Sequence, residues 1–410
     1  MLKRISSQNL RVGMFVVEYG DGSFDCPRVR LDRQLESLAD VEAVRRESKE
    51  AMVDMALSRI SPEPAPPESE GLSSIPPFLP SGTLGPEPMI SLAEELRVAR
   101  AVYNKSLDFM SRFLRDVKLG RATSVGEAEQ VAGEIGASAA RNHKAASSLS
   151  ITRSHGYVTN HSVNVAFLAA ALGVRLSLPE SHLHTLTLAA LLHDVGKALL
   201  PDAVLHKPGK LTAEEYALVK RHPQDGHDLL AAQHLFSRDV LDAVRDHHES
   251  RDGTGYPGGK AGEEINPFAH YLSILDVYDA LISYRTYRRA LTPFQALKFL
   301  YANRETRFSS PHLLAFIRFI GIYPVGSFVR LADGCYGLVT DFHEDKPDAP
   351  RVKVVFDKRL RPMRPVTVDT AQGNGGARVV ELGLNPKDYH LNTELFFPDA
   401  LAFRPVVILL

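Results

Sequence analysis

The stretch HHESRDGTGYPGG, residues 247–259, sets two adjacent histidines beside a carboxylate and a run of glycines that encloses Tyr256-Pro257. Imidazole is a strong ligand for transition-metal ions. Glycine lets a backbone turn through positive φ and come close to a neighbour. Read alone, Gly253, Gly255, Gly258 and Gly259 with Pro257 would serve equally well as a surface turn. Beside a His-His pair they become one wall of a site, to which Tyr256 adds a ring and a hydroxyl.

The other histidines supply the rest of that site. Twelve of the 16 fall between His155 and His270. His161 opens an apolar pattern in which Val165, Leu168 and Leu172 follow at helical spacing. His193-Asp194 closes another, TLTLAALLHDVGK, where a carboxylate would be costly to bury without a counter-charge. Gly196 reads as the stop of that helix, and Lys197 follows. His222 lies in VKRHPQDG, His247 and His248 end VLDAVRDHHES, and Asp276 sits inside the apolar pattern YLSILDVYDAL. Each of these residues singly reads as an ordinary core or boundary residue. Together, five histidines and two aspartates on successive helices match the way helical scaffolds build dinuclear imidazole–carboxylate centres. The set contains no thiolate, so the expected cofactors are two divalent ions, iron or manganese, rather than a structural zinc. Asp194 is the natural bridging ligand, and paired ions of this kind suit phosphoester hydrolysis. Downstream, Arg285 and Arg288 in SYRTYRRAL can meet phosphate charge.

The rest of the chain bounds the answer. Its 410 residues exceed one ordinary domain, and a formal net charge of −1 gives no pull toward a nucleic acid polymer. Cys26 and Cys335 form neither a disulfide framework nor a metal spacing, which fits a reducing, cytoplasmic setting. The longest apolar run, residues 165–174, is about half the roughly 20 residues a bilayer requires, so membrane insertion is not expected.

Residues 1–60 read as a small module, with a strand at 14–19 and helical charge spacing over 31–60. Residues 61–88 are a Pro-rich linker and 89–150 a helical connector. Within the connector, Leu92, Leu96, Ala99, Tyr103, Leu107, Met110 and Leu114 form an amphipathic stripe of core character, and a second helix runs over 124–149. The catalytic domain spans 151–322, and 323–410 is a β-rich module with a hairpin turn at Asp333-Gly334. The basic residues of that module read as a solvated strand face.

His193-Asp194 with Lys197, then LHKPGKLTAEEYALVKRHPQDG, HHESRDGTGYPGG and ILDVYDALISYRTYRRAL, closely resemble the HD-GYP branch of the HD phosphohydrolase superfamily over about residues 155–295. The flanks resemble an arrangement in which a small N-terminal domain of unknown function precedes the catalytic domain. The resemblance implies a mainly α protein. An all-helical HD bundle would be its core, with a small α/β module before it and a β-rich module after it. It further implies a cyclic di-GMP phosphodiesterase that yields linear pGpG and often GMP. Carried over by position, His161, His193, Asp194, His222, His247, His248 and Asp276 become the metal ligands, with Asp194 and Lys197 catalytic. Lys197, Gly255, Tyr256, Pro257, Arg285 and Arg288 become the substrate contacts.

Two departures stand out. Tyr157 occupies the position where some members carry a glutamate for a third metal, and Arg285-Thr286-Tyr287 replaces the usual Arg-Pro-Tyr. The flanking modules point to regulation or partner docking. A diguanylate cyclase, or a second copy of the chain as a homodimer, is the candidate partner. The competing reading is a signalling scaffold that binds cyclic dinucleotide or a partner without turnover; a missing ligand would favour it, and none is missing.

Overall fold

The structure is a computed structural model. It describes residues 2–7, 10, 14–19, 29–36, 40–41, 43–44, 48, 50–54, 85, 87–121, 123–152, 157–207, 209–283, 290–343, 346–372, 379–385 and 389. The chain divides into two units, Met1–Ser74 and Ile75–Leu410. Cys26, Arg285, Arg288 and most of the expected linker lie outside the described residues.

The first unit is an antiparallel sheet of β1 (Leu2–Ser6), β2 (Phe15–Tyr19), β3 (Val29–Gln34) and β4 (Glu50–Asp54), in the order β1-β4-β2-β3. β2 is the strand expected at 14–19. Where the range 31–60 is described, the expected helix is instead parts of two strands with a short helical stretch around Val41 and Val44, and residues 55–60 lie outside the described residues. Ala51 and Val53 are buried while Met52 between them is only partly so. That is a period of two, and it outweighs a charge spacing compatible with either structure.

In the second unit, α1 (Leu92–Lys118) starts at a capping box between Ser91 and Glu94. Leu96, Ala99, Tyr103 and Met110 of its stripe are fully buried. The single helix expected over 124–149 is two, α2 (Val125–Arg141) and α3 (His143–Thr152). Asn142 between them is extended at φ −156°, and its side-chain oxygen accepts from the amides of Lys144 and Ala145. Buried Glu95 ties α1 to α2 through a two-pronged pair with Arg141, at 2.7 and 2.8 Å.

Next come α4 (Tyr157–Arg175) and α5 (Glu180–Leu192), then a 3-10 turn at Val195–Leu199. They are followed by α6 (Asp202–Leu205), α7 (Ala213–Val219), α8 (His222–Ala231), α9 (Arg238–Asp246), α10 (Pro267–Ile282), α11 (Pro293–Ala302) and α12 (Ser310–Ile320). α4 is buried on every side from His161 to Gly173, as a helix apolar all round must be. It is the axis against which α1, α2, α3, α5 and α10 pack.

The chain ends its described course in an antiparallel sheet of β5 (Phe328–Leu331), β6 (Tyr336–His343), β7 (Lys346–Phe356), β8 (Pro362–Asp369) and β9 (Val380–Leu384), ordered β8-β7-β6-β5-β9. The β5–β6 hairpin turns at Asp333-Gly334 as expected, with Gly334 at φ +85°. One apolar core runs from Leu96 in the bundle to Val368 in this sheet. The fold is thus mainly helical. Among the described residues no helix is long and apolar enough to cross a membrane.

Gly196 does not end a helix. α5 stops at Leu192 and Gly196 lies inside the 3-10 turn, where a Cβ would sit 2.1 Å from the His222 carbonyl oxygen and 2.7 Å from the Gly226 amide. Its missing side chain lets α8 press its backbone onto the segment that carries Asp194. Gly196→Ala is therefore expected to cost about 1–3 kcal/mol by overpacking, read as a lower Tm, and to reduce metal content. An unchanged Tm and unchanged metal content would show that α8 can move aside freely.

Candidate metal centre

Helix ends deliver most of the site. His193 follows α5 directly, His222 comes three residues after the end of α7, and His247 follows α9. In each, ring Nδ1 lies against a carbonyl three residues back: Ala190 at 2.8 Å, Val219 at 2.7 Å and Val244 at 2.6 Å. All three carbonyls belong to a last helical turn, the set with no intrahelical amide to bond. A carbonyl can only accept, so Nδ1 carries the proton and Nε2 turns its lone pair inward.

Those lone pairs converge on Asp194. Its Oδ1 faces Nε2 of His222 at 3.3 Å and of His247 at 4.0 Å. Its Oδ2 faces Nε2 of His193 at 3.5 Å and of His161 at 3.8 Å, with Lys197 Nζ at 2.6 Å. Asp276, from α10, approaches His161 Nε2 at 2.9 Å through Oδ1 and His248 at 3.8 Å through Oδ2. His248 lies edge-on to His222, with ring centroids 5.0 Å apart. All seven residues singled out from the sequence thus meet in one buried cluster.

The cluster fits a cation. His222 and His247 set their Nε2 atoms 3.3 Å apart with both Nδ1 protons already committed, so two lone pairs face each other. His193 Nε2 and Asp194 Oδ1 are buried without a hydrogen-bond partner among the described residues. Burial, followed by the neighbouring charges, holds His247 and His248 well below the usual imidazole range and lowers His222, so these rings are neutral donors. Burial works against charge on Asp194 too, but the Lys197 ammonium 2.6 Å away outweighs it and keeps the carboxyl well below its usual range. Asp276 behaves alike, held ionised chiefly by its hydrogen bond with His161. Three groups of donor atoms lie within metal-binding reach: His222, His247 and His248; His161, His193 and Asp276; and His193, Asp194 and His247. Imidazole and carboxylate donors of this kind suit a divalent ion.

His161 has an additional support that the sequence reading overlooked. Its Nδ1 meets Asp279 Oδ2 at 2.7 Å, Asp279 Oδ1 accepts from the Asn164 amide at 3.0 Å, and Asn164 accepts from the Tyr103 hydroxyl at 2.6 Å. Burial disfavours a charged His161, yet the hydrogen bonds it donates to Asp276 and Asp279 lift its pKa to about 10. The available signal was a second acid three residues after Asp276 in the same apolar helix.

The loop 249–262 forms the outer wall. The Glu249 carboxylate gathers the amides of Gly258 at 2.6 Å and Lys260 at 3.0 Å. Gly255 runs so close to the preceding strand of loop that a Cβ would lie 2.2 Å from the Ser250 amide. This folds the Tyr256 ring onto His248, with centroids 4.8 Å apart, and leaves Pro257 exposed beside it. Tyr256 and Lys197 therefore adjoin the cluster, and Gly255 and Pro257 flank Tyr256 in the chain.

A central buried helix and helix-end histidines around a His-Asp pair define an HD-domain protein, and residues 145–310 match the family described as an HD domain. Residues 2–128 match a domain of unknown function. The cyclic di-GMP phosphodiesterase PA4108 of Pseudomonas aeruginosa is 36% identical over 393 residues, covering 95% of this chain and 93% of its own length. The response regulator RpfG of Xanthomonas campestris, also named a cyclic di-GMP phosphodiesterase, is 42% identical over 38% of this chain and 41% of its own length. The 3′3′-cGAMP-specific phosphodiesterase 2 of Vibrio cholerae is 35% identical over 36% of this chain and 28% of its own length. With both name-giving motifs in place at the cluster, the chain belongs to the HD-GYP family of phosphodiesterases.

Asp279→Asn should leave the ligand set intact while weakening the hold on His161. Metal affinity, measured by chelator competition, is expected to fall about 10- to 100-fold. Unchanged affinity would show that His161 needs no support from α10.

Proposed function

We propose that this protein is a metal-dependent phosphodiesterase that opens cyclic di-GMP to linear pGpG and converts part of that product to GMP. Two divalent ions, iron or manganese, would occupy the centre. The observation that carries the reading is the placement of Asp194, with Oδ1 toward His222 and His247 and Oδ2 toward His161 and His193. One carboxylate between two sets of nitrogen donors suits a bridged pair. The relative that matches nearly the whole chain is named for cyclic di-GMP, whereas the cGAMP-specific one matches about a third of it, which favours the former substrate. Every expected ligand position is filled, which argues against a non-catalytic scaffold.

In this reading His161, His193, Asp194, His222, His247, His248 and Asp276 hold the ions. When bound, such ions lower the pKa of water and polarise the phosphoryl group. The chain's own contribution is positional. Lys197 holds its ammonium 2.6 Å from Asp194 Oδ2, and in this reading it also faces a phosphate bound at the centre. Tyr256 closes the side beside His248 and keeps bulk water from the imidazoles. Arg285 and Arg288 are proposed phosphate contacts. The N-terminal unit is the proposed regulatory module, with a diguanylate cyclase or a second copy of the chain as its partner.

Tyr157 begins α4 one turn before His161. A neutral phenol is a poor ligand for a hard cation, so two ions per chain are expected. The doubly charged end of pGpG should then be held less well than the cyclic substrate. Product analysis on anaerobically prepared protein should show pGpG accumulating before slow GMP formation. Three ions per chain, or GMP without a pGpG phase, would contradict this. Tyr157→Glu is expected to raise metal occupancy and shift product toward GMP.

Two further variants separate holding the ions from holding the substrate. Asp194→Ala should lose metal and more than about 100-fold in kcat, beyond the cost of losing an outer support. Tyr256→Ala should keep its metal and raise KM roughly tenfold, the usual cost of a lost stacking face. Full activity with full metal loading in the first, or metal loss in the second, would reverse the assignment.

A further inference from the structure

The wall made by Tyr256 does not end at that ring. On the exposed side of α7, Tyr216 and Lys220 stand four residues apart, one turn of helical spacing. Lys220 Nζ lies 5.3 Å from the Tyr256 ring centroid and 5.1 Å from that of Tyr216, within the range of a cation–π contact to both. From the cluster outward the order is therefore His248, Tyr256, Lys220, Tyr216.

The charges nearby are unequal in a telling way. Lys207 is paired with Glu215 at 2.6 Å, and Arg221 with Asp225 at 3.3 Å. Lys220, between them in sequence, has no carboxylate partner among the described residues. Arg307 is also without an ion pair there, and it acts on the Tyr256 hydroxyl against the upward push of burial. An exposed lysine is usually a solvated surface charge. One held against the faces of two tyrosines, beside the substrate wall and with its neighbouring acids engaged elsewhere, is a ready counter-charge for an anion.

We propose that Lys220 and Tyr216 form a second subsite of the catalytic cleft, in which Lys220 contacts the phosphate that is not being cut and the Tyr216 ring stacks on a purine base. The assignment rests on the reading of this chain as a cyclic dinucleotide phosphodiesterase. A cyclic dinucleotide carries two phosphodiesters. When one lies at the metal centre, the other sits a nucleoside away and needs a cation of its own. A lysine, a point charge on a flexible stem, can follow it. The bases present flat π-faces that an exposed tyrosine can meet without reading their edges.

The test compares cyclic di-GMP with bis(p-nitrophenyl) phosphate, which has one phosphodiester, no second phosphate and no purine. Lys220→Ala is expected to lose about tenfold in kcat/KM on cyclic di-GMP, mostly through KM, and to lose far less on the small diester. Lys220→Arg should recover most of the loss. Tyr216→Ala should raise KM for cyclic di-GMP several-fold, and Tyr216→Phe, which keeps the ring, should not. Metal content, measured on each variant, should match the wild type. Parallel losses on both substrates, loss of metal, or an unchanged KM for cyclic di-GMP in Lys220→Ala would overturn the subsite while leaving the functional reading standing. Wild-type protein that cleaves the small diester but not cyclic di-GMP would overturn that reading and the subsite with it.

Discussion

The metal centre depends on burying one carboxylate. Asp194 is almost wholly removed from solvent, and an uncompensated charge there would cost several kcal/mol. Lys197, from the next turn of chain, supplies the counter-charge, while His193 beside it, His222 from α8 and His247 from the end of α9 face the carboxylate with nitrogen donors that suit a cation. Each partner belongs to a different element, so the helices cannot shift independently without exposing or stranding the charge. The close backbone contact between Gly196 and His222 is part of the same arrangement, because it brings α8 near enough for His222 to face Asp194.

The histidines solve two problems at once. A helix end leaves carbonyls without partners, and a metal ligand must present a defined nitrogen. At His193, His222 and His247 the Nδ1–H answers the first need and thereby settles the second. The negative ends of three helices also lie beside the place where cations would bind, which favours positive charge there. His161 is handled differently. It sits inside the central helix, far from any free carbonyl, and takes its orientation from the Asp279 carboxylate and the polar chain that runs back to Tyr103 on α1.

Much of this was legible in the sequence because the chemistry is local. His193-Asp194, His247-His248 and Gly255-Tyr256-Pro257 are contiguous, and a buried acid in an apolar run is conspicuous by itself. What escaped was whatever depended on a neighbour from elsewhere in the chain. Asp279 looks like a second helix acid until Asn164 and His161 are placed against it. Gly196 looks like a helix stop until α8 is seen to lie on it. Asn142 interrupts a pattern that is otherwise continuous, and only its extended backbone reveals the break between α2 and α3. In the N-terminal unit, residues rich in alternating charge gave helical spacing, whereas the strand pairing of β4 with β1 and β2 decided the outcome.

The main-chain anchoring of His193, His222 and His247 bears on how this protein would acquire its ions. Many small metal-binding domains are assembled by the metal itself and collapse when it is stripped away. Here the inward nitrogens are aimed by backbone carbonyls, and the surrounding helices share one apolar core with the C-terminal sheet. Loading should therefore be an exchange reaction on a finished scaffold rather than a folding event. The ion found in the centre would then follow the supply of the surrounding medium and could be replaced during the life of a single molecule.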